Sequence, residues 1–232
     1  MNLRTVLFLS ISILLLTACK QEPQQEKPKV DPDTIVAEVA IIRGFSVRDS
    51  AGIMVADALR AMQSVEYNAK GQELANKFFN QNGTVAWEDQ FLLNEEGQKI
   101  GSRYYENGEL KMTYKYDLDD QGRRVGYRAH DANTGVEMYR GFSKYEKDGG
   151  LRIDGSAPGP NAVVQWNYEY SFDKNGEETG YVYIAADGKR FPSTYSVKER
   201  DEQGRWLRRA VVTNDTVTAI ETREFKSLTD SQ

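Results

Sequence analysis

The segment LKMTYKYDLDDQGR, residues 110–123, contains one strand and the turn that ends it. Apolar and polar side chains alternate from Leu110 to Leu118, which is typical of a half-buried antiparallel β-strand. The next four residues, Asp119 to Gly122, suit a type I turn, because aspartate at the first position accepts backbone hydrogen bonds and glycine at the fourth adopts positive φ. The segment therefore predicts a strand of an antiparallel sheet that ends in a hairpin turn.

The same turn recurs at steps of about 26 residues. Its six copies share an acidic residue or asparagine, two spacers and a glycine, at residues 68–71, 94–97, 119–122, 146–149, 173–176 and 201–204. A second set of turn sequences lies between them, at Asn82-Gly83, Asn107-Gly108, Thr134-Gly135, residues 158–161, Asp187-Gly188 and Asn214-Asp215. We call these the first-set and second-set turns. They predict an all-β fold, a curved antiparallel meander of about 13 strands built from six hairpin repeats of about 26 residues.

The alternation also predicts which face of this sheet is buried. Residues 162–172 repeat the pattern of residues 110–118, with a row of Val164, Trp166, Tyr168, Tyr170 and Phe172 on one face. We expect this Tyr/Trp face on the inside of the curve. A simple closed barrel is disfavoured, because an odd number of meandering strands would make the closing pair parallel.

Residues 34–64 lack the repeat and allow two interpretations. The spacing of Ile53, Ala56, Leu59 and Met62 predicts a short amphipathic helix within residues 50–62. The segment SVRDSAG, residues 46–52, instead resembles a degenerate first-set turn and favours a shortened extra hairpin. We expect the hairpin-repeat domain proper over residues 65–226, followed by a tail at residues 227–232.

The N terminus has the features of an export signal. Arg4 precedes an apolar run from Val6 to Leu16, and the run ends in Ala18-Cys19. Leu16-Thr17-Ala18-Cys19 resembles the lipobox of bacterial lipoproteins. The resemblance implies a signal peptide at residues 1–18, cleavage between Ala18 and Cys19, and acyl chains on Cys19. About eleven apolar residues are too few for a spanning helix, which needs roughly 20.

The residues after the lipobox predict how the protein is held. Residues 19–33 contain the predicted lipidated Cys19 and a Pro/Gln/Lys-rich tether that has little to bury and is expected to be flexible. Lys20 directly after the cysteine resembles outer-membrane rather than inner-membrane lipoproteins of enteric type. We therefore expect a bacterial envelope protein, anchored by acyl chains, at the outer membrane.

Two repeat families resemble parts of the hairpin region. Tyr114-Lys115-Tyr116-Asp117 followed by Gly122-Arg123 resembles the YD-repeat (Rhs-like) family, whose units read roughly Tyr-x-Tyr-Asp, a turn and Gly-Arg. Residues 168–176 and 195–205 are looser copies, and residues 104–110 resemble MORN-type hairpin repeats. Both resemblances imply hairpin-repeat sheets that serve as shells or binding surfaces, and neither carries catalytic residues.

The composition disfavours several classes of chemistry. A net charge of −5 disfavours nucleic-acid binding, and one histidine and one cysteine leave few residues for a metal site or a nucleophile–base pair. We expect no cofactor, no metal and no catalytic residue, with His130 at the surface. The candidate binding residues are Tyr105, Tyr139 and Tyr145, on the phase opposite to the main apolar stripe, and Asp154 and Asn161, in the irregular segment 149–161.

These observations favour a non-enzymatic envelope lipoprotein that acts as a scaffold or protein-binding surface. The alternatives are an immunity or inhibitor protein against an exported toxin, a carrier of an apolar or lipid ligand, and a sugar-binding or sugar-cleaving protein. A filled interior would favour the scaffold, a continuous apolar cavity the carrier, and a close pair of carboxylates in a cleft the enzyme.

Overall fold

The chain folds as an antiparallel meander that closes on itself. The computed structural model describes residues 32–146, 150–158 and 162–228, so the predicted signal peptide, Ala18, Cys19 and most of the predicted tether lie outside it. Within these ranges, no helix is long and apolar enough to cross a membrane. The elements are a 3-10 turn at Pro32–Thr34 and the strands β1 Glu38–Ser50, β2 Ile53–Tyr67, β3 Glu73–Phe79, β4 Val85–Leu93, β5 Lys99–Glu106, β6 Glu109–Leu118, β7 Arg124–Asp131, β8 Glu137–Glu146, β9 Leu151–Ala157, β10 Gln165–Phe172, β11 Glu178–Ile184, β12 Arg190–Arg200, β13 Trp206–Thr213 and β14 Thr216–Ser227.

The predicted all-β antiparallel meander is confirmed, but the open sheet of 13 strands is wrong. The described residues form a closed barrel of 14 strands in which β1 pairs with β14, from Glu38 opposite Ser227 to Phe45 opposite Ile220. The twelve first-set and second-set turns separate thirteen strands, and these correspond to β2 to β14. The additional strand, β1, comes from residues 34–64 and makes the number even. The closing pair is therefore antiparallel, and the objection to a closed barrel no longer applies.

The predicted helix at residues 50–62 is wrong, because this segment belongs to a hairpin. The chain reverses at Ala51 and Gly52, which have φ of 55° and 81°, and the amide of Gly52 donates to Asp49 Oδ1 at 2.7 Å. β2 then pairs with β1 on one side and β3 on the other. Residues 53–61 pair with β1 alone, and β3 joins only from Met62 onward. The long antiparallel ladder with β1 therefore outweighs a short helical spacing. The hairpin interpretation is confirmed, although the hairpin is long rather than shortened.

The first-set turns have the predicted conformation. The glycines Gly71, Gly97, Gly122, Gly176 and Gly204 all have positive φ, and each donates its amide to the carbonyl three residues earlier at 2.9–3.0 Å. Two copies end in Gly-Arg, and there the arginine returns to the first residue of the turn. Arg123 Nε donates to Asp119 Oδ2 at 2.8 Å, and Arg205 Nε donates to Asp201 Oδ2 at 2.7 Å. The Gly-Arg signature thus closes the turn with an ion pair.

The described second-set turns are of three kinds, and at Thr134-Gly135 the glycine has positive φ and donates its amide four residues back, to Asp131, at 2.9 Å. Both central residues have positive φ at Asn107-Gly108 and at Asn214-Asp215, as predicted for two-residue turns. At Gly83 and Gly188 only the glycine does, and each amide donates three residues back, to Asn80 and Ala185. These two are four-residue turns like the first set, because the preceding residues supply a type I turn.

The segment 149–161 is less irregular than predicted. Residues 151–157 form β9, which pairs with β8 on one side and β10 on the other. Residues 147–149 and 159–161, including Asn161, lie outside the described residues.

One face of the strands lines the barrel interior. A single cavity is lined by residues from β4 to β11, and strands so far apart in the wall meet only across the inside. Tyr114, Tyr116, Tyr168 and Tyr170 line it, so the predicted inward Tyr/Trp face is confirmed at these positions. Trp166 is an exception, because a bulge before Tyr168 shifts the phase. It lies outside, with Lys144 Nζ at 4.1 Å from its ring centroid.

The tip of the β1–β2 hairpin covers part of the outer wall. Beyond Phe45 these strands pair only with each other, and Gly52, Ile53 and Met54 share a hollow with β13 and β14 residues. Among those are Ala210 and Ile220, which alternation places outside but which are only 6% and 4% exposed. The hairpin tip therefore packs as an arm on the outer wall.

Candidate functional site

The barrel interior contains two adjoining cavities of about 560 and 450 Å³, which share Tyr168, Tyr170 and Tyr183. Cavity A, the larger, is also lined by Asp89, Ser102, Tyr114, Tyr116, Arg124, Tyr127, Tyr139, Phe142, Asp154, Gly155, Ser156 and Asn167. Cavity B is also lined by Glu178, Tyr181, Phe191, Ser193 and Tyr195. Nine of the chain's 13 tyrosines therefore line the interior. The lining combines aromatic surface with hydroxyl and charged groups.

The register of neighbouring strands brings the tyrosines of cavity A together. Tyr114 on β6, Tyr127 on β7 and Tyr139 on β8 lie with ring centroids 5.8–6.2 Å apart. Tyr127 lies opposite Gly141, and a Cβ on that glycine would lie 1.9 Å from the Tyr127 ring. The glycine makes room for the ring against the wall. The three rings consequently form one packed cluster at inward positions.

The tyrosine hydroxyls of cavity A form two separate hydrogen-bonded groups, and one of them leads from Tyr116 to a carboxylate. The hydroxyls of Tyr114 and Tyr139 lie 2.5 Å apart, and burial together with this contact raises the pKa of Tyr114. The Tyr116 hydroxyl donates to Ser102 Oγ at 3.0 Å, and Ser102 donates to Asp89 Oδ1 at 3.3 Å. Burial raises the pKa of Asp89 despite that hydrogen bond. This second group therefore ends at a poorly solvated acid.

Two arginines make cation–π contacts with tyrosine rings that line cavity A. The Arg124 guanidinium lies 5.4 and 5.5 Å from the ring centroids of Tyr116 and Tyr127. Arg152 lies 4.4 Å from the ring centroid of Tyr170, and its Nε is 3.2 Å from Asp154 Oδ1. Neither of those two buried atoms makes a hydrogen bond. The Arg152–Asp154 contact is therefore an ion pair without hydrogen-bond geometry, at the edge of a space that a polar ligand group would satisfy.

Cavity B has a different charge pattern. Glu178 is its one charged lining residue, and burial raises the Glu178 pKa. The nearest cations, Arg209 and Arg152, oppose that rise in the Glu178 pKa, as does a hydrogen bond from Tyr195, but each arginine forms its ion pair with another carboxylate. Arg209 lies 3.7 Å from the Tyr195 ring centroid, and its Nε donates to Glu221 at 2.6 Å.

Solvent reaches the interior from the end that carries the second-set turns. Tyr168, Tyr183 and Phe191 point inward, yet they are 37%, 38% and 45% exposed. Tyr183 and Phe191 stand at the β11–β12 turn, whereas Glu178 begins β11 at the opposite end of that strand. Cavity B therefore leads from an open, aromatic mouth to a half-buried carboxylate.

The structure corrects the placement of two predicted binding tyrosines. Tyr105 lies on the outer wall opposite Glu88, as expected for a surface residue. Tyr139 and Tyr145 instead face inward; Tyr139 lines cavity A, and the Tyr145 hydroxyl donates to the Arg124 carbonyl at 3.2 Å. In β8, both sets of alternate residues contain apolar or aromatic side chains as well as polar ones. Alternation alone therefore does not identify the set that faces inward.

The other predicted positions fall in separate places. Asp154 lines cavity A from a strand rather than from a loop. The candidate Asn161 is one of the residues that are not described. His130 lies on the outer wall opposite Thr113, and among the described residues no three His, Cys, Asp or Glu side chains come together as metal ligands.

Sequence reasoning missed three charged residues of the interior, Asp89, Arg124 and Glu178. One signal was present for Asp89, which shares the phase of Trp87 and Phe91 within β4. An acid on the aromatic phase of a strand points into the interior with its aromatic neighbours. Bulges at the starts of β7 and β11 obscure the phase of the other two.

Comparison with known proteins gives likenesses of structure only. No protein-family model matches the chain, and no curated protein matches it. A similar solved structure is a porin-like protein from Bacteroides uniformis ATCC 8492, at 10% sequence identity and a TM-score of 0.44, covering 83% of this chain and 97% of that chain. At this distance the function has to be derived from the residues of the barrel itself.

Proposed function

We propose that this protein is a non-enzymatic lipoprotein of a bacterial envelope that binds a small ligand inside its barrel. The observation that carries the proposal is the open, tyrosine-lined interior. Side chains fill barrels of about eight strands, and wider barrels leave space. Fourteen strands enclose cavities of about 560 and 450 Å³ here, with exposed aromatic side chains at the mouth. This favours the carrier hypothesis over a scaffold with a filled core.

The outer wall supports a barrel that lies in water beside the membrane. Lys77 Nζ lies 2.5 Å from Glu66 Oε1 and 3.8 Å from Glu88 Oε1 on adjacent strands. Arg128 and Asp117 pair at 2.7 Å on β7 and β6. Lysine or arginine on the lipid-facing side of a spanning barrel costs about 2–4 kcal/mol at the bilayer midplane. We infer that acyl chains on Cys19 supply the membrane contact.

The proposal can be tested by asking whether a small molecule stays bound when the protein is purified. Native mass spectrometry of the full-length protein, purified from envelopes in a mild non-ionic detergent, should show a bound small molecule. Ser156→Trp places an indole in cavity A, since Ser156 lines it, and should reduce the bound fraction. Ser171→Trp is the matched control, because Ser171 is exposed on the outer wall of β10. Equal loading of both folded variants would contradict binding inside the barrel.

The same preparation tests the lipid anchor. Wild-type protein should carry acyl mass on Cys19, and Cys19→Ala should accumulate as an unprocessed precursor. A soluble wild-type protein without acyl mass would contradict the lipoprotein proposal and leave the ligand site untouched. Protein partners captured through Tyr105 on the outer wall would instead favour the scaffold or immunity hypothesis.

A further inference from the structure

We propose that cavity B selects an organic cation, a quaternary ammonium or protonated amine, which it holds between its aromatic rings and Glu178. The inference deepens the proposed function and rests on it, because it names the ligand class for that same interior. It comes from three features of cavity B: its charge, its rings and its depth.

The charge of cavity B is one unpaired carboxylate. Glu178 is the charged member of the lining. It accepts a hydrogen bond from Tyr195, and the Arg209 and Arg152 guanidinium groups favour its charged form, yet burial outweighs them and its pKa stays raised. The two nearest guanidinium groups are committed, Arg209 to Glu221 at 2.6 Å and Arg152 to Asp154 at 3.2 Å. Each arginine is already neutralised by its own carboxylate, so Glu178 leaves one negative charge without an ion-pair partner among the described residues in this half-buried space. A cationic ligand would supply the missing counter-charge.

The rings of cavity B suit a cation with apolar substituents. Six aromatic rings line it, from Tyr168, Tyr170, Tyr181, Tyr183, Phe191 and Tyr195. Tyr168–Tyr170 and Tyr183–Phe191 are stacked pairs, at interplanar angles of 22° and 25°. Tyr168 and Tyr181 are tilted by 53°, and Tyr181 and Tyr195 by 49°. The two stacked pairs meet at Tyr168 and Tyr183, whose rings are 5.3 Å apart and tilted by 44°, so β10, β11 and β12 present a continuous aromatic wall. Such ring faces attract quaternary ammonium groups by cation–π contact.

The depth of cavity B orders these features along an entry path. A ligand that enters at Phe191 and Tyr183 meets aromatic surface first and reaches Glu178 last. Cavity A, in contrast, carries Arg124 beside Asp89 and Asp154. There each carboxylate has a guanidinium nearby, Arg124 for Asp89 and Arg152 for Asp154, so the described lining of cavity A has no uncompensated negative charge. The preference for a cation therefore belongs to cavity B.

Three probes of similar shape separate charge from apolar fit. We would titrate the full-length protein, in a non-ionic detergent, with choline, with its neutral carbon analogue 3,3-dimethyl-1-butanol, and with the anion 3,3-dimethylbutanoate, using calorimetry. Choline should bind with a dissociation constant on the order of a millimolar, as expected for so small a ligand. Both other probes should bind at least tenfold more weakly. Equal binding of the neutral analogue would overturn the cation preference, as would choline binding that is undetectable.

Matched variants locate the choline site. Glu178→Gln should weaken choline binding at least tenfold, and Tyr183→Leu should weaken it several-fold, whereas Tyr183→Phe keeps the ring and should bind like wild type. Glu199→Gln and Tyr105→Leu are the controls, because both residues lie on the outer wall. Circular dichroism verifies that each variant folds. Choline binding that survives Glu178→Gln unchanged would overturn the assignment to cavity B.

The two proposals fail in different ways. A ligand found by native mass spectrometry that is neutral or anionic would overturn the cation preference and keep the barrel as a binding protein. A protein that carries no ligand in native mass spectrometry and also does not bind choline would overturn both the proposed function and the cation preference.

Discussion

The inner and outer walls of the barrel consist of alternate residues of the same strands, yet charged side chains on the two walls differ in their pairing and solvation. On the outer wall, Lys77 lies between Glu66 and Glu88, in contact with both. On the inner wall, burial raises the pKa values of Asp89 and Glu178. Exposed pairs add little stability, and poorly solvated carboxylates reduce it. The difference indicates that the ladders and turns hold the barrel together, and it agrees with the proposal that the inner charges serve binding.

Glycine substitutions should show the largest contrast between the walls. A Cβ at Gly180, on the outer wall, would lie 2.5 Å from the Ser193 carbonyl oxygen and 3.0 Å from Thr194 Cα, which are backbone atoms. At Gly141, on the inner wall, it would meet the Tyr127 ring, which has open space to move into. We expect Gly180→Ala to cost roughly 3 kcal/mol and Gly141→Ala roughly 1 kcal/mol. Urea unfolding measures both, and a larger loss at Gly141 would contradict the open interior.

A turn substitution should come next. Gly122 has φ of 74°, where a β-branched side chain is strained, so Gly122→Val should cost roughly 1–3 kcal/mol. Asp120→Ala changes an exposed spacer of the same turn and should cost little. If the two variants unfold at the same urea concentration, the first-set turns do not hold the register.

Asp89→Asn should have a smaller effect of opposite sign. Burial raises the Asp89 pKa above its ordinary 3.8, so the folded state holds its proton more tightly than the unfolded state. The penalty for ionising Asp89 therefore develops as pH rises above 3.8 and persists at neutral pH. The amide removes it, so the variant should be more stable than wild type at neutral pH and equal to it in strong acid. The control is Asp117→Asn on the outer wall, and a gain there of equal size would remove the distinction between the walls.

The smallest effect is expected at the outer ion pair of Arg128 with Asp117. Both side chains are about half exposed, and such pairs contribute roughly 0–1 kcal/mol. Arg128→Gln should shift the urea midpoint only slightly, and the shift should shrink further in molar salt. A loss comparable to that of Gly122→Val would show that outer charges are structural after all.

The local features of the fold were predictable from sequence, because each rests on neighbouring residues. Asp119 to Gly122 specify their turn whatever lies around them, and Tyr114 and Tyr116 follow a simple alternation. The strand count over the repeats was right for the same reason. Closure was not predictable, since β1 and the start of β2 lack repeat signals and acquire strand structure from their partners.

The candidate site was harder to predict, because it depends on which phase of each strand turns inward. Tyr139 and Met138 are equally plausible core residues of β8, and only the packing of Tyr139 against Tyr114 and Tyr127 decides between them. A bulge likewise sends Trp166 outside while Tyr168 stays inside. Alternation predicts two faces, but the three-dimensional register selects one.

The pairing of β1 with β14 also has a consequence for the order of folding. Each hairpin forms from residues close in sequence and is expected to form early, whereas the closing ladder joins Glu38 to Ser227, nearly the full length of the folded chain. Until the last strand arrives, β1 and the newest strand both present unpaired amides and carbonyls, which invite pairing with other molecules. A chain truncated within β14 should therefore leave a nearly complete wall that aggregates, and the full chain runs the same risk until its two edges pair.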